Sequence, residues 1–139
     1  MKNFPIGIGA LARETGSSPE TIRYYEQQEM LSSPQRTEGG HRQYQLEHLR
    51  CLVFILRARE LGFSQADVKA LLALADQPNA PCSEVQHIAE INLEKIRRKL
   101  GDLHRMEAVL ADMVSCCVNE GVSGHCPIVD VFYEPTLSN

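Results

Sequence analysis

No stretch of this 139-residue sequence is apolar for the roughly 18–20 residues that a membrane span needs. The run Cys51–Leu56 is far too short. Met1-Lys2-Asn3-Phe4 carries no apolar leader core and no cleavage pattern, so a soluble cytoplasmic protein with no membrane partner is expected. Low-complexity tracts are absent and prolines number only seven; with 43% hydrophobic and 23% charged residues, wholesale disorder is excluded. A chain of this length is about one domain and buries about two-thirds of its unfolded surface. There is also no Cys-x-x-Cys pair, the usual half of a closed structural zinc site.

Five cysteines are present, at 51, 82, 116, 117 and 126. An odd number without an export signal argues against a disulfide framework and for reduced thiols, free to bind metal or serve redox chemistry. Cys51, inside Leu49-Arg50-Cys51-Leu52-Val53-Phe54, reads as a small buried hydrophobe.

The net charge is −4, from 14 Lys and Arg against 18 Asp and Glu, but it is unevenly placed. Residues 1–75 hold nine basic and eight acidic groups, a net +1; residues 76–139 hold five and ten, a net −5. Six arginines fall between Arg23 and Arg59. An acidic whole therefore does not exclude nucleic acid, because a local arginine-rich face decides that.

Ile6–Thr15, with Ile8, Leu11 and Ala12, has the spacing of a short amphipathic helix, broken by Gly16-Ser17-Ser18. Ser18 then suits an N-cap, Pro19 the first helical residue and Glu20 the first turn of a second helix running to about Gln28. Ile22 and Tyr25 face the first helix, leaving Glu20, Thr21, Arg23 and Tyr24 outside. Helix, glycine turn and capped helix make a helix-turn-helix. In Arg36-Thr37-Glu38-Gly39-Gly40-His41-Arg42-Gln43-Tyr44 a Gly-Gly turn joins two polar segments, a β-hairpin wing with arginines on both arms; an irregular glycine loop is the alternative. A helix from about Leu46 to Leu61 presents Leu46, Leu49, Leu52, Val53 and Leu56 as its apolar face, with Gly62 as C-cap. Ser64, with Asp67 three residues on, opens another helix to about Ala75, and residues 76–81 break it.

From Ser83 to about Cys117 a heptad register fits. Leu93, Leu100, Glu107 and Val114 take one position; Ala89, Ile96, Leu103, Leu110 and Cys117 take the other, with Glu107 the misfit. A 35-residue helix spans about 50 Å, more than so small a domain covers with its own core. Such a seam packs on a second copy, parallel or antiparallel; a helix folded back on the N-terminal domain is the alternative.

Cys82 follows Pro81 at the start of that helix, where the helix dipole favours a thiolate. Cys116 and Cys117 lie at the other end. The eight residues Val118–His125 form a loop closed by Cys126-Pro127, and its two glycines let Cys126 return beside Cys117. Cys82 cannot reach that pair within one chain. In an antiparallel dimer it meets the partner's Cys117 and Cys126, a three-thiolate site suited to soft divalent ions. Cys116 and His125 are candidate fourth ligands, although each adjoins a ligand cysteine and neighbours chelate poorly. Buried structural thiols are the alternative. His41, His48, His87 and His104 stand at no ligand spacing and suit ordinary surface roles.

These stretches resemble the MerR family of bacterial transcription regulators. The likeness rests on Ile6-Gly7 with Leu11-Ala12, Thr21-Ile22-Arg23-Tyr24-Tyr25-Glu26, residues 36–44, and Arg59-Glu60-Leu61-Gly62-Phe63-Ser64. The second half is similar to the metal-sensing branch through Arg105-Met106-Glu107-Ala108-Val109-Leu110 and Cys126-Pro127, so the likeness covers about residues 4–132. It implies an all-α fold with a small β wing. Residues 1–76 become a winged helix-turn-helix domain with connecting helices, 77–118 an antiparallel dimerisation helix, and 119–139 a metal-binding loop and tail. It further implies a homodimer on double-stranded promoter DNA that bends and untwists an overlong spacer for RNA polymerase when metal binds, turning repression to activation.

Carried over by position, the DNA-binding set comprises Arg23, Tyr24 and Tyr25 on the second helix; Ser18 and Thr21 are added because the capped start of that helix is free to approach base edges. Arg36, His41, Arg42 and Tyr44 join it from the wing, and Arg59 from a flanking helix. Tyr25 also fits the core, by its spacing from Ile22. The resemblance implies Cys82, Cys117 and Cys126 as metal ligands; the family's monovalent sensors carry serine in place of Cys82, so a divalent ion is implied. The eight-residue gap matches mercury and lead sensors and favours Hg(II). Cys116-Cys117 is shared with zinc sensors, so Pb(II), Cd(II) and Zn(II) stay open, though Gly121 stands where zinc sensors have a histidine. The family's iron–sulfur redox sensor needs four close cysteines in the loop. An enzyme with a nucleophilic cysteine needs a base near its thiol, and only His125 offers itself without an orienting group.

Overall fold

The computed structural model describes residues 3–76, 79, 81–119 and 127–133, of which 116–119 and 127 by their backbone alone. The chain forms two compact units, Met1–Pro81 and Cys82–Asn139.

In the first unit, α1 (Ile8–Thr15) ends at Gly16, whose φ of 68° is the left-handed conformation that glycine adopts without steric cost. Ile6 lies outside α1 and instead forms an antiparallel bridge with Tyr44. The second helix, α2 (Pro19–Gln27), begins as expected: the Ser18 hydroxyl accepts a 3.2 Å hydrogen bond from the Thr21 backbone N–H, and Pro19 follows. Leu11 and Ala12 of α1 and Ile22 and Tyr25 of α2 are buried in one core.

The wing is a two-stranded antiparallel hairpin, β1 (Gln35–Arg36) and β2 (Arg42–Gln43), with Arg36 opposite Arg42. Its tip is closed by the Thr37 N–H to the His41 carbonyl at 2.8 Å and by the Thr37 hydroxyl accepting from the His41 N–H. Gly40 has a φ of 84°, which explains one of the two turn glycines.

The long connecting helix α3 (Leu46–Glu60) faces inward differently from the sequence expectation. His48, Leu52, Ile55 and Ala58 are buried, whereas Leu46 and Val53 are exposed. Six apolar or thiol residues run consecutively over 51–56, so the helical period alone does not choose a face. The choice is fixed at the N-terminus, where the His48 Nδ1 accepts from the Gln45 N–H at 2.9 Å and the ring packs edge-on against Tyr44, 5.5 Å between centroids. His48 is thus a buried cap and not a surface histidine. α4 (Gln65–Ala75) is capped by Ser64, whose hydroxyl accepts from the Asp67 N–H, and buries Val68.

In the second unit, α5 (Cys82–Asn119) runs 38 residues without a break. A short 3-10 turn, Pro127–Asp130, packs against it. No helix among the described residues is long and apolar enough to cross a membrane.

Candidate nucleic-acid interface and metal centre

The helix-turn-helix and the wing separate the expected DNA-binding residues into three groups. Arg23 and Tyr24 on α2, Arg36 and His41 on the wing, and Arg59 on α3 are exposed. Ser18, Thr21 and Arg42 are half-buried. Tyr25 and Tyr44 are core residues, Tyr44 completely so. Neither presents its ring to a ligand at the surface, and both leave the expected contact set. Tyr25 follows Ile22 by three positions and so lies on the inner face of α2.

Several of the remaining side chains are already partly engaged. The Ser18 and Thr21 hydroxyls are 2.9 Å apart, so the residues that cap α2 also brace each other. Arg36 donates to the Gly40 carbonyl across the wing tip at 3.2 Å. Arg59 donates to the Phe63 carbonyl at 2.9 Å and so closes the turn between α3 and α4. A guanidinium carries five N–H donors, so each arginine keeps others for a phosphate. Tyr24 donates from its hydroxyl to Gln65 at 2.8 Å, and Gln65 donates to Gln28 at 3.2 Å, a relay that ties the outer face of α2 to the start of α4.

One participant stands in the sequence only as the last residue of the Thr21–Glu26 stretch, with no role of its own. Glu26, on α2, accepts a 2.6 Å hydrogen bond from the Tyr44 hydroxyl, and its second oxygen lies 3.3 Å from the Arg42 Nε. The Nε–H is buried but not aligned for a hydrogen bond, so its tie to Glu26 is an ion pair without hydrogen-bond geometry. Burial, then the hydrogen bond to Glu26 and its charge, push the Tyr44 hydroxyl pKa well above 10; the nearby charges of Arg42 and Arg23 oppose this only partly. Glu26 stands three residues after Arg23, but its partners arrive sixteen and eighteen residues later, so only the fold brings them together.

The thiols also divide. Cys51 is half-buried and its thiol donates to the Met30 carbonyl at 3.5 Å; burial, then the charge of Asp76, push its pKa up, which keeps it protonated and a poor ligand. Cys82 is exposed and is the first residue of α5. Cys116 and Cys117 lie near the other end of α5, their side chains outside the described set, and His125 and Cys126 lie outside the described residues. Among the described residues no group of three His, Cys, Asp or Glu side chains could hold a metal ion within one chain.

Residues 7–75 match the family described as MerR HTH family regulatory protein, and residues 49–113 the one described as MerR, DNA binding. The chain is 37% identical to the mercuric resistance operon regulatory protein of Bacillus cereus over 123 residues, 88% of this chain and 93% of that one. The chain belongs to the MerR family. It is a DNA-binding transcription regulator, as its MerR relatives are, and not an enzyme. A second MerR relative, the HTH-type transcriptional regulator ZntR of Escherichia coli K12, is 36% identical over 125 residues, 88% of this chain and 89% of that one. The crystal structure of the transcription regulator PbrR691 from Ralstonia metallidurans CH34 in complex with lead(II) is similar with a TM-score of 0.55 and 30% identity, over 92% of this chain and 99% of that one.

Proposed function

We propose that this MerR regulator binds promoter DNA as an antiparallel homodimer and activates metal-resistance genes for RNA polymerase in response to a divalent thiophilic ion, with Hg(II) favoured over Pb(II), Cd(II) and Zn(II). The observation that carries the reading is α5. It begins at Cys82, passes Cys117 about 50 Å later, and leaves its apolar seam uncovered in the single chain. Leu93, Ile96, Leu100, Leu103, Leu110 and Val114 keep between 37 and 69% of their surface exposed. A second copy laid antiparallel covers the seam and brings Cys82 to the partner's Cys117 and Cys126. Two such sites form per dimer, one at each end of the paired rods.

The donor set is three sulfurs with no obligatory oxygen, which suits a soft ion. Cys51 is excluded by its half-buried, carbonyl-bonded thiol. When bound, the ion supplies sulfur–metal bonds that link one protomer's rod to its partner's loop. Arg23, Arg36, His41, Arg42 and Arg59, with Thr21 and Tyr24, approach the duplex; the arginines fit phosphates and the capped start of α2 fits base edges. Bending a site of 20–30 base pairs costs about 1–6 kcal/mol. The repressing and activating protein states therefore need to differ in ion affinity by a comparable free energy.

The test uses the full-length dimer and a duplex that the wild-type protein selects from a randomised pool. Hg(II), Pb(II), Cd(II) and Zn(II) are titrated in turn, reading thiolate-to-metal ultraviolet absorption and transcription from that duplex. Replacing Cys82, Cys117 or Cys126 by serine should abolish the metal response and leave duplex affinity intact. Full response from Cys82→Ser would sink the shared site, and a stronger response to Zn(II), Pb(II) or Cd(II) than to Hg(II) would reassign the ion.

A further inference from the structure

The wing has little of its own to hold it in place. Its two strands are two residues each, and so short a hairpin is marginal alone. Its base is fixed through the backbone bridge of Tyr44 with Ile6, which ties it to the N-terminal segment and not to α2. Beside the burial of Tyr44 in the core it shares with Ile22 and Tyr25, the polar side-chain tie to α2 among the described residues runs through a single carboxylate. Arg42 and Tyr44 are two apart on an extended segment, so both project to the same face. On that face they meet Glu26, through the 2.6 Å hydrogen bond from Tyr44 and the 3.3 Å ion pair with Arg42. The Glu26 side chain is only 9% exposed, whereas that of Arg42 is 26% exposed with its Nε buried.

A carboxylate on a helix that approaches DNA is an electrostatic burden unless it is paired. Glu20, exposed in the first turn of α2, is such a free carboxylate. Glu26 differs, because its charge is spent on Arg42 and its geometry is locked by Tyr44. We propose that Glu26 is a positioning residue for DNA binding: it fixes the wing against α2 and holds Arg42 by Nε, leaving the terminal guanidinium nitrogens for one phosphate. This rests on Arg42 being a phosphate contact, as argued above. Glu26 itself touches no DNA.

The test is a double-mutant cycle on the full-length protein with the wild-type-selected duplex, measuring affinity as a function of salt. Arg42→Ala should weaken binding about tenfold, the scale of one charge-assisted contact. It should also flatten the log–log salt dependence by about 0.9, one phosphate's worth. Glu26→Ala should do the same in both respects, and the double variant should bind no worse than Arg42→Ala alone. Glu26→Gln keeps an acceptor for Tyr44 but not the charge, so it should fall between wild type and Glu26→Ala, and it carries the test if Glu26→Ala does not fold. In the free protein, Glu26→Ala should speed hydrogen exchange of the Thr37 amide at the wing tip. Glu20→Ala, by contrast, should tighten binding through charge alone. Additive losses in the cycle, or Glu26 variants that bind as well as Glu20→Ala, overturn the role of Glu26. An Arg42→Ala variant with wild-type affinity and salt slope overturns the phosphate contact itself and the proposal with it.

Discussion

Leu103 gives the sharpest test of the paired rods. It lies mid-seam on α5 and keeps 59% of its surface exposed in the single chain. Burying a leucine side chain completely stabilises by about 1.5–3 kcal/mol, so covering the remaining three-fifths is worth about 1–2 kcal/mol in each copy. Twofold symmetry counts it twice, and truncation to alanine leaves only Cβ, so Leu103→Ala should weaken the dimer by about 2–3 kcal/mol. At 1.4 kcal/mol per decade that is a rise of about 30- to 150-fold in the dimer dissociation constant. Sedimentation equilibrium over a range of protein concentrations, in metal-free reducing buffer, reads this directly. Asp102→Ala, one residue away, exposed and off the seam, should leave the constant unchanged. A wild-type constant for Leu103→Ala, or an equal shift for Asp102→Ala, would refute the heptad seam.

Two further changes act within the first unit. Ser18→Ala removes the acceptor for the Thr21 N–H and should lower the stability of that unit by about 1 kcal/mol, read as a fall in thermal midpoint. Tyr44→Phe leaves the Glu26 carboxylate without its phenolic donor and should cost about 1.5–3 kcal/mol in denaturant unfolding. Because the folded state raises the Tyr44 pKa above its usual 10, that contribution is complete below about pH 10 and is lost as pH climbs through the folded value. The stability gap between wild type and Tyr44→Phe should therefore be constant from pH 7 to 9 and narrow above pH 10; a gap unchanged at pH 11 would contradict the assignment.

Local signals were legible wherever one residue's chemistry decides the backbone. Ser18-Pro19 and Ser64 start helices because a hydroxyl at the cap accepts an N–H that no carbonyl can reach. Gly16 and Gly62 follow helix ends with positive φ, and Gly40 does so at the wing tip. Where the decision belongs to tertiary packing, sequence reasoning erred. On α3 an unbroken apolar run over 51–56 suits several faces, and the Tyr44–His48 contact selects one. Tyr44 itself, set among arginines, has the composition of a contact residue; its place in the core follows from a glutamate eighteen residues earlier that satisfies its hydroxyl. The pairing of Glu26 is not legible for the same reason, since nothing local distinguishes a paired carboxylate from a solvated one such as Glu20.

The division of the chain also orders the proposed functions. The arginines proposed to face the duplex and their proposed brace at Glu26 lie in the first unit, whereas the seam and both ends of the rod lie in the second. On the proposed reading, a change at Glu26 or Arg42 weakens operator binding with or without metal. A change at Cys82 removes only the response. A change at Leu103 weakens both at protein concentrations below the raised dimer constant, because two half-sites on DNA and the three-thiolate set each require the second copy. Those three patterns are separable in one experiment that titrates duplex at fixed protein, with and without Hg(II), and reads both duplex affinity and transcription. If Leu103→Ala kept the metal response while losing dimer affinity, the thiolates would have to meet within one chain. An unbroken helix of 38 residues that starts at Cys82 and passes Cys117 about 50 Å later forbids that.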